Sequence, residues 1–208
     1  IDVNGKKGFD AKKIIKNYGD FLAPVLLGLC PIWHPSIAFR KNIISEIGGF
    51  DSQYSLAEDF DLTTKLALKR YNAAIVPRFH LLVRVHQDSQ SRKFIDEINV
   101  NTKKIHNETI KRFLPSLEAD QIASLLRLEK GINNSKFDKK YLVSMHTVLM
   151  RLISEVTYMQ RLNVYELKSL KYNFFNTGPI IKGKKNFATL SENLINCTLK
   201  AILRDLKA

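Results

Sequence analysis

Three carboxylates fall within four positions at Glu58, Asp59 and Asp61, shortly after the run Gly48-Gly49-Phe50-Asp51. Closely placed carboxylates can take a proton from an attacking hydroxyl or hold the hydroxyls of a polyol. They also suit the first turn of a helix, where exposed N–H groups and the macrodipole stabilise negative charge. For any one acid the helix-start role is the simpler account; the group invites a second one. Downstream, Arg84-Val85-His86-Gln87-Asp88-Ser89-Gln90-Ser91 closes a basic, apolar segment. A neutral imidazole at His86 can ligate a divalent ion, and Ser89, Ser91 and Arg92 offer hydroxyls and a guanidinium to a diphosphate. The same run also reads as a plain polar loop. Trp33, the single tryptophan, has an indole face suited to the C–H surface of a sugar ring, although large aromatics more often serve a core. His80, His106 and His146 stand singly and read as structural or solvated.

Gly48-Gly49-Phe50-Asp51, then Glu58-Asp59-x-Asp61-Leu62, then a strand-like segment ending in His86-x-x-Ser89-x-Ser91, resembles the acceptor half of bacterial family-2 glycosyltransferases. The resemblance runs over residues 1–91, under half the chain, with its parts in the family's order and spacing. It implies a partial GT-A-like α/β fold, a mixed sheet with helices, over residues 1–92, followed by a helical extension over residues 93–208. It further implies inverting transfer of a sugar from a nucleotide-sugar to a glycan or lipid-linked acceptor. Asp59 would then be the general base and Glu58 its assistant. Trp33, His34, Arg40 and Asp61 would line the acceptor. Ser89, Ser91 and Arg92 would hold the donor diphosphate, and His86 would contact a Mg or Mn ion. Asp59-Phe60-Asp61 is not the family's metal motif, which ends an apolar strand; this triplet leads into Leu62-Thr63-Thr64-Lys65-Leu66. A nucleotide-binding half needs on the order of 60 residues, and none is found ahead of the glycine pair. The chain therefore reads as a fragment, inactive by itself and with no bound cofactor expected.

Composition frames these readings. The chain has 208 residues, 45% of them hydrophobic, enough for one core or two small ones. With 33 basic against 20 acidic side chains its formal charge is +13, and both halves are basic. Such a balance suits an anionic partner: nucleic acid, an anionic membrane face or a diphosphate-bearing substrate. Cys30 and Cys197 are far apart and carry neither disulfide nor zinc spacing, which fits a reducing, cytoplasmic setting. The longest apolar run, Phe21 to Trp33, is about 13 residues and contains two prolines, too short to span a bilayer.

The elements that must position the carboxylates follow from periodicity and breakers. Helices are predicted over Asp10–Tyr18, from Asp20 through Leu29, over Lys41–Ile47 and over Glu58–Tyr71. Strands are predicted at Trp33–Phe39, Ala73–Val76 and Phe79–Val85. After Ser91 the spacing is helical throughout, over Phe94–Phe113, Glu118–Glu129, Asp138–Thr157, Val164–Phe174 and Ser191–Leu206. The basic and aromatic stretch Lys168–Lys185 suits a membrane surface, and equally a solvated loop; it leaves peripheral contact with the inner face of the cytoplasmic membrane open. A rival reading, a basic helical module for nucleic acid, requires Lys and Arg in line with interleaved aromatics. Here the charges are scattered, which argues against nucleic acid.

Overall fold

A computed structural model of the chain describes residues 15–76, 89–118 and 139–177. Seven α-helices occur in this part: α1 (Tyr18–Leu26), α2 (Lys41–Glu46), α3 (Glu58–Leu68), α4 (Gln90–Lys93), α5 (Ile95–Phe113), α6 (Lys139–Met159) and α7 (Val164–Thr177). Two single 3-10 turns, His34–Ser36 and Ser52–Tyr54, complete the regular structure.

α1 is the central element. Eight of its nine residues are buried, from Tyr18 and Gly19 through Phe21 to Leu26, as expected of a helix that is apolar all round. Asn17 caps it, its Oδ1 accepting from the Gly19 and Asp20 N–H groups at 2.9 and 3.3 Å. The Asp20 carboxylate reaches back to the Lys16 N–H at 3.0 Å, so the start of the helix is tied from both sides. α1 packs most extensively against α7, and also against α3 and α5. The approach to α7 is close because Gly19 has no side chain: a Cβ there would lie 2.0 Å from the Glu166 carbonyl oxygen. Asn17 Nδ2 donates to Ser169 Oγ at 2.7 Å and Asn173 Nδ2 to Asp20 Oδ1 at 2.8 Å, fixing the register of the pair.

The main core joins Phe21, Leu22, Val25 and Leu26 of α1 to Ala67 of α3, Ile110 and Phe113 of α5, Leu149, Leu152, Ile153 and Val156 of α6, and Leu170 and Phe174 of α7. It thus draws on residues before and after position 92. Tyr54, Ala57, Phe60 and Ile105 form a second, smaller cluster beneath the start of α3. At the far end of α3, Arg70 adopts a left-handed φ of +65° and turns its guanidinium onto the α6–α7 connection. It donates to Glu166 Oε1 and Oε2 at 3.0 and 2.8 Å, lies 4.9 Å from the Tyr18 ring centroid, and binds the Gln160 and Arg161 carbonyls. Glu166 also accepts from the Asn163 N–H at 3.0 Å, while Asn163 Oδ1 caps Tyr165 and Glu166, a reciprocal box that starts α7.

The mixed sheet predicted for residues 1–92 is corrected by this structure: the described residues hold no strand, and their regular structure is helical. Trp33–Phe39 is a loop around a 3-10 turn because Pro35 sits at its first positions, where a missing N–H costs nothing and φ is already set. Ala73–Val76 is irregular and has no partner strand among the described residues. The strand predicted at Phe79–Val85 lies outside the described residues, as do the helix predicted at Ser191–Leu206 and, past the non-helical Glu118, the one predicted at Glu118–Glu129. The helix predicted from Asp10 to Tyr18 is also corrected where it can be described: residues 15–17 are not helical, and α1 begins at Tyr18 with Asp20 in its first turn. The remaining helices stand close to their predicted positions. α2 ends where Gly48 and Gly49 take φ of +84° and +66°; α5 runs to Phe113, α6 to Met159 and α7 to Thr177. No helix among the described residues is long and apolar enough to cross a membrane.

Candidate functional site

The segment between α2 and α3 presents the acidic group. Gly48 and Gly49 reverse the chain, and Gly49 accepts at its carbonyl from Lys65 Nζ at 3.3 Å. Asp51 closes the following 3-10 turn, its Oδ1 accepting from the Gln53 N–H at 2.9 Å. Tyr54 then descends into the small cluster, where its hydroxyl donates to Glu108 Oε2 at 2.7 Å across to α5. Burial, aided by Glu108, pushes that phenol up to about 12. Ala57 flanks the start of α3 without any side-chain cap, so the exposed N–H groups are compensated by the acids of the first turn instead.

The helical turn sends the three carboxylates into three environments. Asp61 points inward: it is buried, and its Oδ2 lies 2.7 Å from Lys65 Nζ in an ion pair that sits off the hydrogen-bond line. Burial raises the Asp61 carboxyl above its ordinary value, against the pull of Lys65. Glu58 points outward, half-exposed, with Oε1 3.7 Å from His34 Nδ1. Asp59 is also half-buried; its Oδ1 accepts from the Phe60 N–H at 2.7 Å, and no described residue engages its other oxygen. The Asp59 carbonyl takes the Thr63 hydroxyl at 2.7 Å, which ties the backbone of this turn down.

Aromatic rings border the outward side. The His34 ring lies 5.6 Å from the Phe50 ring, tilted by 46°. Phe50 is 50% exposed and Trp33 is 56% exposed, so both offer ring faces to solvent rather than to the core. The structure therefore brings His34, Glu58 and Phe50 together next to Asp59, with Trp33 adjoining His34 in the chain. Phe50 is the residue that spacing alone did not assign to the site; its position directly after the glycine pair, where an exposed aromatic has no folding role, was the available signal.

The other predicted site residues are placed differently. Arg40 flanks the start of α2, exposed and without an ion pair to a described residue. Asp61 is committed to Lys65. Ser89 begins the short helix α4, its carbonyl accepting from the Arg92 and Lys93 N–H groups at 2.9 and 3.1 Å. Ser91 and Arg92 are exposed on α4, which packs against α5. His86 lies outside the described residues. Among the described residues no three His, Cys, Asp or Glu side chains gather into a donor set, and His86, the residue the resemblance assigns to a divalent ion, lies outside them. On α5 the exposed Lys103, Lys104, Lys111 and Arg112 are interspersed with exposed Asp96, Glu97 and Glu108, a mixed face rather than a basic stripe.

Compared with family models, curated proteins and solved structures, the chain matches none. The likeness to glycosyltransferases thus rests on the order and spacing of the motifs quoted above.

Proposed function

We propose that the start of α3, with His34, Phe50 and Trp33, is the acceptor side of a sugar-transferring enzyme. The observation that carries this reading is the division of labour among the three carboxylates. Asp61 is held inside by Lys65 and Glu58 faces His34. Asp59 keeps an oxygen that no described residue uses, and it follows Glu58, whose neighbour His34 lies against the exposed Phe50 ring. Aromatic faces and carboxylates together suit a sugar, whose C–H surface stacks while its hydroxyls donate hydrogen bonds.

In the reaction, an acceptor hydroxyl gives its proton to Asp59 as its oxygen bonds to the anomeric carbon. The bond to the nucleoside diphosphate breaks on the opposite face, so configuration inverts. Glu58 accepts from a neighbouring acceptor hydroxyl, and His34 holds Glu58 in place. The nucleotide-sugar would be bound by residues other than these. Ser89, Ser91 and Arg92 remain the candidates for its diphosphate, as guanidinium and hydroxyl groups suit one.

Because Trp33 is the single tryptophan and is exposed, its fluorescence reports directly on this surface. Titrating a panel of neutral oligosaccharides should shift its emission, and Phe50→Ala should weaken the response. In an assay of an enzyme that includes a donor-binding half, Asp59→Asn should lower turnover by about 10²–10⁴-fold while donor affinity is kept. No emission change with any glycan would remove the acceptor role, and loss of donor affinity equal to the loss of turnover would make Asp59 a donor contact.

A further inference from the structure

The end of the α6–α7 hairpin carries a second concentration of exposed side chains, unrelated to the carboxylates. Tyr158 and Met159 close α6, and Val164 and Tyr165 open α7; the two tyrosines are 84% and 77% exposed. Lys168 and Tyr172 continue the Tyr165 row at i+3 and i+7, on one helix face, and both are exposed. Arg161, exposed in the connection, adds a second cation. Among the described residues, five of the twelve exposed large hydrophobic side chains fall between Tyr158 and Tyr172, which makes this a patch rather than scatter. The opposite face of α7 is already used: Leu170 and Phe174 are in the core, and Ser169 and Asn173 are bonded to α1.

The charge on this end is one-sided. Glu166 is the only acid between Tyr158 and Tyr172, and it is buried and paired with Arg70. Arg161 and Lys168 therefore stand beside exposed tyrosines with no exposed acid in the same stretch.

We propose that this hairpin end is a peripheral docking surface for an anionic lipid bilayer. Tyrosine has an apolar ring and a polar tip, the combination that rests at headgroup depth. Met159 and Val164 enter the acyl boundary, while Arg161 and Lys168 meet the lipid's negative charge. The surface fits the other occupants less well. A second copy bound across a two-fold axis would set this basic stretch against the same basic stretch, with no exposed acid between Tyr158 and Tyr172 to answer Arg161 and Lys168. A nucleic acid would stack on the tyrosines but leave the exposed Met159 and Val164 without a partner. This inference stands apart from the sugar-transfer reading, since it uses none of its residues.

Co-sedimentation of the whole chain with phosphatidylcholine vesicles, with and without about one-third phosphatidylserine, tests it. The protein should pellet only with the anionic vesicles at about 0.1 M salt and be released at about 0.5 M, where charge is screened over a shorter length. The variant Tyr158→Ser/Tyr165→Ser/Lys168→Glu should lose about tenfold or more in partitioning. Lys103→Glu on α5 makes the same change in charge away from the patch and should lose much less. Helical circular dichroism should be unchanged in both; if the triple variant unfolds, Tyr165→Ser and Lys168→Glu singly take its place. Equal recovery in the supernatant with both vesicle types, or equal losses in the patch and α5 variants, overturns the proposal. So does concentration-dependent self-association, or binding of a single-stranded oligonucleotide, that the patch variant abolishes while no lipid binding is seen.

Discussion

The starts of α1 and α3 solve the same problem in opposite ways. Each helix leaves N–H groups unpaired at its first turn. At α1 they are met by the Asn17 side chain, and the turn is then pressed against α7 until Gly19 is the only residue that fits. At α3 no side chain caps the turn, and the positive end of the helix is balanced by Glu58, Asp59 and Asp61. One start is sealed by packing; the other keeps two carboxylates and two aromatic rings at the surface. A segment that retains accessible charge gives up apolar contacts, so stability and chemistry are expected to separate along this chain.

Substitutions that press on the contrast between these two starts should rank accordingly. Gly19→Ala carries the largest effect. Its Cβ would meet backbone, which cannot swing aside, and α1 would have to leave α7. A loss of about 3 kcal/mol or more, or failure to fold, is expected from overpacking of this kind. Gly49→Ala, at φ +66° with open space around it, should cost only about 1–2 kcal/mol through backbone strain. Urea unfolding of both variants compares them, and similar midpoints would mean that the α1–α7 contact is looser than described.

Next in size is a dependence on pH that belongs to the core. His106 is fully buried on α5, its Nε2 donating to the Leu26 carbonyl at the end of α1 at 2.7 Å, and its Nδ1 has no partner among the described residues. Burial holds the imidazole well below its ordinary value, down to about 4. Because the folded state resists protonation that the unfolded chain accepts, stability is full above about 6.5. It falls as pH drops from there toward about 4, by roughly 2–3 kcal/mol over the window. His106→Gln keeps a donor for Leu26 without the titration and should flatten that part of the profile, measured as the urea midpoint at several pH values. An unchanged slope would assign the acid sensitivity to groups other than His106, and not to Asp61, whose raised carboxyl favours the folded state as pH falls.

The smallest effect is expected where the chemistry is proposed. Asn at position 59 can still accept from the Phe60 N–H, and Asp59 is half-exposed. Asp59→Asn should therefore leave the urea midpoint within about 0.5 kcal/mol of the parent. A large destabilisation would show that Asp59 belongs with the packed start and not with the open one.

Helix periodicity was the readable part of this chain. α5, α6 and α7 lie near their predicted limits because apolar residues recur at helical spacing and clear breakers follow them. α2 stops at the glycine pair for the reason that the pair itself supplies: both glycines take positive φ. The strands predicted at Trp33–Phe39 and Ala73–Val76 were misread, short apolar runs beside prolines. Trp33, Ile37 and Phe39 suggest a strand by composition, yet Pro35 is equally at home in a 3-10 turn, and a strand exists only if a partner pairs with it. The partnership is a tertiary fact that no local run contains.

The site divides in the same way. The residue types, the acidic helix start and the glycine turn are local features, determined by the order of Gly48 to Asp61 alone. The inward or outward direction of each carboxylate depended on the phase of α3 against α5 and the small cluster of Tyr54, Phe60 and Ile105. That phase buried Asp61 against Lys65, turned Glu58 to His34 and left Asp59 between them. The approach of Phe50 to His34, and the capture of Glu166 by Arg70, join residues far apart in the chain. Spacing fixes which side chains can share a helix face; only the packing of one helix on another decides which face is inside.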